Sequence, residues 1–190
     1  MHKRYWLPFI LIAFSLASCS TQTAQPQVIE MPEVETDPSP FEHELFGFTI
    51  PAGWGATVTS GDYYGFGLEK VVIIHNAPLL SDSKVFFTVA TAALPSGESL
   101  AERFKLAYQD AVPEIEEPVK SHFERNGLSG PGITYKRPWG EPWWKFQDIW
   151  LEKDSVIYLL SFRASPFSFE DHLATLDQIL NSFYFKDPIE

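Results

Sequence analysis

The sequence predicts an α+β domain built on a mostly antiparallel sheet. Three observations lead there. Between residues 41 and 187 segments of strand character follow one another in runs, and only two segments carry helical periodicity. The same stretch is rich in aromatic side chains, and roughly 145 residues of that kind suffice for one domain with a real core. No internal repeat and no second linker divides it.

Taken in order, Leu45–Ile50 reads as a strand stopped by Pro51, and Gly67–Asn76 holds a second around Val71-Val72-Ile73-Ile74. Lys84–Ala93 is a third, apolar on both faces and therefore central. A helix is expected over Leu100–Ala111, where Ser99 and Glu102 have the capping-box spacing and Leu100, Phe104 and Ala107/Tyr108 recur on one face. Four further strands are expected at Val119–Asn126, Ile133–Arg137, Trp143–Glu152 and Ser155–Ala164, the last two joined as a hairpin through Lys153-Asp154. Ser168 is placed to cap a final helix, with Phe169, Leu173, Leu176, Leu180 and Phe183 spaced by four and three residues. A short strand, Tyr184–Lys186, closes the series.

Ahead of this body lie two segments of different composition. Residues 1–18 have the build of an export signal: His2, Lys3 and Arg4, an apolar run from Leu7 to Leu16, then the small residues Ala17-Ser18. The apolar run is shorter than the about 20 residues a spanning helix needs. Cys19, the one cysteine of the chain, directly follows. Leu16-Ala17-Ser18-Cys19 resembles a bacterial lipobox, and Cys19 is expected to carry diacylglyceryl and to become the mature N-terminus. A lipobox product carries at least two acyl chains, which hold a protein durably where one chain holds it marginally. The expected location is therefore a cell membrane or outer membrane, facing away from the cytoplasm.

Residues 19–40 contain four prolines and four acids but no base and no aromatic, so they bury too little to offset chain entropy and read as a disordered tether. The chain has a formal net charge of −11, and loss of the signal removes Lys3 and Arg4 as well. Such a surface is repelled by polyanions and excludes nucleic acid as a partner.

Phe46-Gly47-Phe48-Thr49-Ile50-Pro51-Ala52-Gly53-Trp54 resembles the opening strand and Pro-x-Gly-Trp turn of PsbP-like proteins. Val156-Ile157-Tyr158-Leu159-Leu160-Ser161-Phe162, and the helix ending Ile179-Leu180-Asn181-Ser182-Phe183-Tyr184-Phe185, are similar to the same group's closing strand, helix and Ser-Phe signature. The resemblance spans most of residues 41–187 and implies an α/β/α sandwich of the Mog1/PsbP type, with helices on both faces of a central sheet. It carries over no metal- or cofactor-binding residue, and fold alone does not assign function.

The residues offer no catalytic set. His43 lies between Glu42 and Glu44, and His172 follows Glu170-Asp171, but neither has a His-x-His or His-x-x-x-His partner. His122 and Glu124 share a strand face. Gly127-Leu128-Ser129-Gly130 reads as a turn and not as a nucleophile elbow. No metal, cofactor or enzyme activity is therefore expected. The segment richest in tryptophan holds Trp139, Trp143, Trp144 and Trp150. By strand parity Trp144, Phe146 and Trp150 face one layer and pack under a helix, while Trp139 and Trp143, beside Arg137, flank a Pro-rich turn and are the candidates for ligand contact. Two functions follow as expectations: a lipid-anchored, non-enzymatic accessory module for an envelope protein partner, or a lipoprotein that binds a glycan or small molecule through residues 137–150.

Overall fold

The computed structural model describes residues 37–63, 65–76, 84–109, 115–138 and 143–187. The signal, Cys19 and most of the tether lie outside them, as does Trp139. Five strands come first: β1 (Ser39–Glu42), β2 (Phe46–Ile50), β3 (Gly55–Val58), β4 (Glu69–His75) and β5 (Val85–Ala93). Helix α1 (Leu100–Gln109) is followed by β6 (Glu116–Arg125), β7 (Leu128–Pro138), β8 (Trp143–Lys153) and β9 (Val156–Ala164). A 3₁₀ turn at Glu170–His172 leads into α2 (Leu173–Ser182) and β10 (Tyr184–Phe185).

Seven strands form one antiparallel sheet in the order β3-β4-β5-β9-β8-β7-β6. A smaller antiparallel sheet runs β1-β2-β10. The expectation that residues 85–90 are central holds, since β5 is flanked by β4 and β9.

Strand alternation divides the core in two. On one face Tyr158, Leu160 and Phe162 of β9 and Ile149 and Leu151 of β8 pack against the small sheet and α2. Here Phe48 meets Phe87 edge-on at 5.7 Å, Phe162 meets Phe169 at 5.4 Å, and α2 inserts Leu176, Ile179 and Leu180. On the other face Ile157, Leu159, Phe146 and Trp150 pack against α1 and the segment around Tyr63, Phe66 and Leu68. The architecture is a sheet-dominated α+β fold. Each face carries one helix, so the predicted helices on both sides are present, but a three-stranded sheet shares the α2 layer and a loop shares the α1 layer.

The α1 start matches its sequence signature. The Ser99 N–H donates to Glu102 Oε2 at 2.9 Å, and the Glu102 N–H donates to Ser99 Oγ at 3.3 Å. Both hairpin turns have two successive residues at positive φ, the twist-matched geometry for two-residue connections. They are Asn126 (51°) with Gly127 (78°) and Asp154 (53°) with Ser155 (60°). The second turn therefore uses Asp154-Ser155, one position beyond the predicted Lys153-Asp154.

Three other expectations are corrected. Ser168 does not cap α2, which begins at Leu173 after the 3₁₀ turn with His172 at its N-cap and no side-chain cap bond. Strands β1 and β3 were not expected; each has four residues, too few for a visible alternation. Because β1 pairs Ser39 with Ile50, the small sheet includes two residues ahead of Phe41.

Gly130 of β7 passes so close to β8 that a Cβ there would lie 1.9 Å from the Trp150 carbonyl oxygen. Backbone cannot yield as a flexible side chain does. Gly130→Ala is expected to lower stability by about 3 kcal/mol or more, read as a shift of the urea midpoint. The α1 face that Trp150 anchors should lose packing with it.

Candidate functional site

The α1 face of the large sheet contains the one fully buried carboxylate among the described residues, Asp148 in the middle of β8. Alternation places it in line with Trp144, Phe146 and Trp150, so the pattern that buries the aromatics also buries the acid. Helix α1 brings Tyr108 over it, and the Tyr108 hydroxyl donates to Asp148 Oδ2 at 2.6 Å. Tyr135 of β7 donates to the same oxygen at 2.9 Å. Trp150 Nε1–H donates to the Tyr108 oxygen at 3.0 Å. Ser161 lies directly across from Asp148 on β9, and its Oγ accepts the Tyr63 hydroxyl at 2.6 Å. Oδ1 of Asp148 is buried as well.

Burial raises the Asp148 pKa to about 6, against the pull of the Ser161, Tyr108 and Tyr135 hydroxyls and the Arg137 charge. Hydrogen bonds to an ionised group contribute about 1.5–3 kcal/mol each. They do not outweigh desolvation, which wins here by about 3 kcal/mol for a rise of this size. Burial, then the charge of Asp148, pushes Tyr108 and Tyr135 well above the ordinary tyrosine value. The cluster is a locked polar knot under a helix. Asp148 is fully buried, and the hollow beside α1 is lined by Gly65, Phe66, Gly67, Arg103, Leu106 and Ala107, not by Asp148.

The proposed contact residues separate. Arg137 pairs with Trp144 and Pro138 with Trp143, so Arg137 and Trp143 fall on opposite faces of the sheet. Arg137 joins the α1 face, where the Arg163 guanidinium lies 4.4 Å from the Phe86 ring centroid and 5.8 Å from that of Trp144. Trp143 is 39% exposed. Trp144, Phe146 and Trp150 share one face as the parity requires, and Trp150 and Phe146 are buried near α1.

The histidines are dispersed. His43 Nδ1 accepts the Leu45 N–H at 3.3 Å, and burial lowers its pKa. His122 Nε2 lies 3.1 Å from Ser129 Oγ across the β6–β7 pair, on an exposed surface that desolvates neither group. His172 stands at the start of α2. Among the described residues no group of three or more His, Cys, Asp or Glu is placed to hold a metal ion. Sequence reasoning missed Asp148 because an isolated Asp between Gln147 and Ile149 looks like any solvated acid. Its parity with Trp144, Phe146 and Trp150 was the signal that would have found it.

No family profile and no curated protein matches the chain. Solved structures do. The cyanobacterial PsbP (CyanoP) of Synechocystis superposes with a TM-score of 0.54 at 14% identity, covering 85% of this chain and 100% of that one. LpqN of Mycobacterium tuberculosis, described as involved in cell envelope biogenesis, gives 0.56 at 10% identity over 79% and 86%. A Pseudomonas aeruginosa protein of unknown function, described as a putative regulator, gives 0.51 at 12% over 80% and 99%. The fold is PsbP-like. At these identities the likeness is one of fold, and the Mog1/PsbP-like arrangement expected from Phe46–Trp54 and from the closing helix is present.

The Asp148 knot in this PsbP-like sheet has a measurable pH signature. A carboxyl whose folded pKa is raised takes up a proton in the native state between about 6 and its unfolded value of 3.8. Its contribution to stability is full below the lower value and is lost as pH rises through the upper one. From this group alone the protein is expected to be more stable at pH 5 than at pH 7.5 by about 1 kcal/mol. Asp148→Asn, which keeps an oxygen acceptor for both tyrosines, should remove that difference in urea titrations at the two pH values. An unchanged difference would place the ionisation elsewhere.

Proposed function

We propose that this chain is a lipid-anchored module outside the cytoplasm, non-enzymatic, that presents a PsbP-like domain to a membrane or envelope protein partner. The observation that carries the reading is the run Leu16-Ala17-Ser18-Cys19 behind a basic start and a short apolar stretch. Among the described residues no helix is long and apolar enough to cross a membrane, and in this reading the acyl chains on Cys19 do the anchoring. The shared fold with LpqN, a protein of cell envelope biogenesis, supports an envelope role. The fully buried carboxylate Asp148 is sealed in its knot by Tyr108 and Tyr135, which suits a structural duty better than turnover. No cofactor is assigned.

A second reading has one observation in its favour. Arg137, Arg163, Trp144 and Phe86 gather guanidinium and ring surfaces at one end of the α1 face, a chemistry that suits a glycan or small molecule. Under that reading a ligand screen would change tryptophan emission, and Trp144→Ala would abolish the change.

Two measurements test the first reading. Mass spectrometry of the purified protein is expected to find residue 19 as the N-terminus, bearing diacylglyceryl. A free thiol, or a retained leader, overturns the anchor. Crosslinking in intact membranes is expected to capture one recurring protein, and repeated recovery of the chain alone overturns the accessory role.

A further inference from the structure

Strand register assigns each feature of the domain to an end. At one end lie Ala164, paired with Val85 and Lys145, and Pro138, paired with Trp143. Gly55, paired with His75, lies there too. Because Ile50 leads through the Pro51–Trp54 turn into Gly55, and Ser39 pairs with Ile50, the chain enters the domain at this same end. At the opposite end the strands turn through polar tips, Asn126-Gly127 and Asp154-Ser155.

Among the described residues, the entry end carries exposed aromatic rings. Phe167, in the turn between β9 and α2, is 98% exposed, and Trp143 is 39% exposed. Alternation puts Trp143 on the same side as Lys145, whose ammonium lies over the Phe169 ring and bonds Glu170 at 2.6 Å. That side also carries β1 and α2, so Ser39, Trp143 and Phe167 share one side as well as one end. A lone exposed aromatic on a soluble surface needs no explanation. The coincidence with the entry of the tether does. Close to Phe167 in the chain, the Glu170 carboxylate is paired with Lys145.

We infer that this end of the domain rests on the lipid surface that holds the anchor, with Phe167 and Trp143 as interfacial contacts. Aromatic rings with a polar rim favour the headgroup level of a bilayer. Between Cys19 and Ser39 the chain spans at most about 70 Å when extended and roughly 25 Å as a coil. A linker of that length holds the domain near the surface at an effective concentration on the order of millimolar, so two weak contacts suffice to orient it. The acidic body is repelled by anionic headgroups, so the contact is apolar and is strongest on zwitterionic lipid. The inference rests on the lipidation of Cys19.

The test uses the full lipidated protein in phosphatidylcholine vesicles. With Cys19 acylated, a cysteine introduced by Phe167→Cys is the one reactive thiol, and Asp154→Cys supplies a control at the opposite end. A nitroxide on each reports collision with oxygen, which dissolves in lipid, and with a water-soluble nickel chelate. At position 167 oxygen collisions are expected to rise and nickel collisions to fall severalfold relative to position 154. With the unmodified side chains in place, brominated phosphatidylcholine is expected to quench tryptophan emission, and Trp143→Phe should remove most of that quenching. Equal water-like values at both positions, or no quenching, overturn the inference. So does protection of position 167 in native membranes alone, which would put a protein on this surface. The N-terminal mass of the same sample separates these outcomes from failure of the anchor itself.

Discussion

Asp148 sets terms that the rest of the α1 face must meet. A carboxyl with no solvent contact is costly unless donors reach it, and here they arrive from α1 and β7, while Ser161 faces it from β9. Tyr63 extends the knot to the segment before β4 through Ser161. A helix shifted by one residue turns its side chains by about 100°, which would take Tyr108 off the carboxylate and strand the acid. The apolar contacts of Phe104 and Ala107 impose no such single solution, since oil packs in many registers. Polar satisfaction is therefore what specifies where α1 sits. Removing one donor leaves a buried charge uncompensated, so the knot is defended as a unit.

The opposite face is held differently. Phe46, Phe48, Phe183 and Phe87 stack and meet edge-on, and the small sheet closes over them. Its last strand is admitted by an absence: a Cβ at Gly47 would lie 2.5 Å from the Tyr184 hydroxyl, so glycine lets that ring cross β2. The hydroxyl then donates to Glu42, which also pairs with Lys186. These exposed polar links add little energy singly, and the rings beneath do most of the holding.

Much of this was legible in residue order. The alternation of β8 separates Trp144, Phe146 and Trp150 from Ile149 and Leu151, and the structure gives each set its own core. The Ser99–Glu102 pair marked the start of α1 because a capping box depends on local spacing alone. What failed depended on distant partners. Strands β1 and β3 are held by pairing with β2 and β4, and four residues carry no period. Ser168 has the right chemistry for a cap, but Phe169 is drawn onto Phe162 and beneath Lys145, which tightens the chain into a 3₁₀ turn before α2 begins. Asp148 was invisible for the same reason: its neighbours in sequence are ordinary, and its donors come from elements 13 and 40 residues away. Arg137 and Trp143 looked like companions by proximity in the chain, yet the cross-strand register puts them back to back.

Where such a body meets other molecules follows from what is already covered. The middle of the large sheet is packed on both faces, while the outer strand β6 stays mostly exposed. The sheet's edges are blunted. Strand β3 has four residues, and β6 is charged along its length, with Pro118 and a register shift between Glu116 and Val119, where Glu117 takes a φ of 51°. Such features discourage pairing with a foreign strand. Two ends remain. One is built from polar turns that water satisfies, and the other carries Trp143, Phe167 and the entry of the chain. Loops and strand ends are where substitution costs the core least. Structures that agree in fold at 10–14% identity are free to differ there.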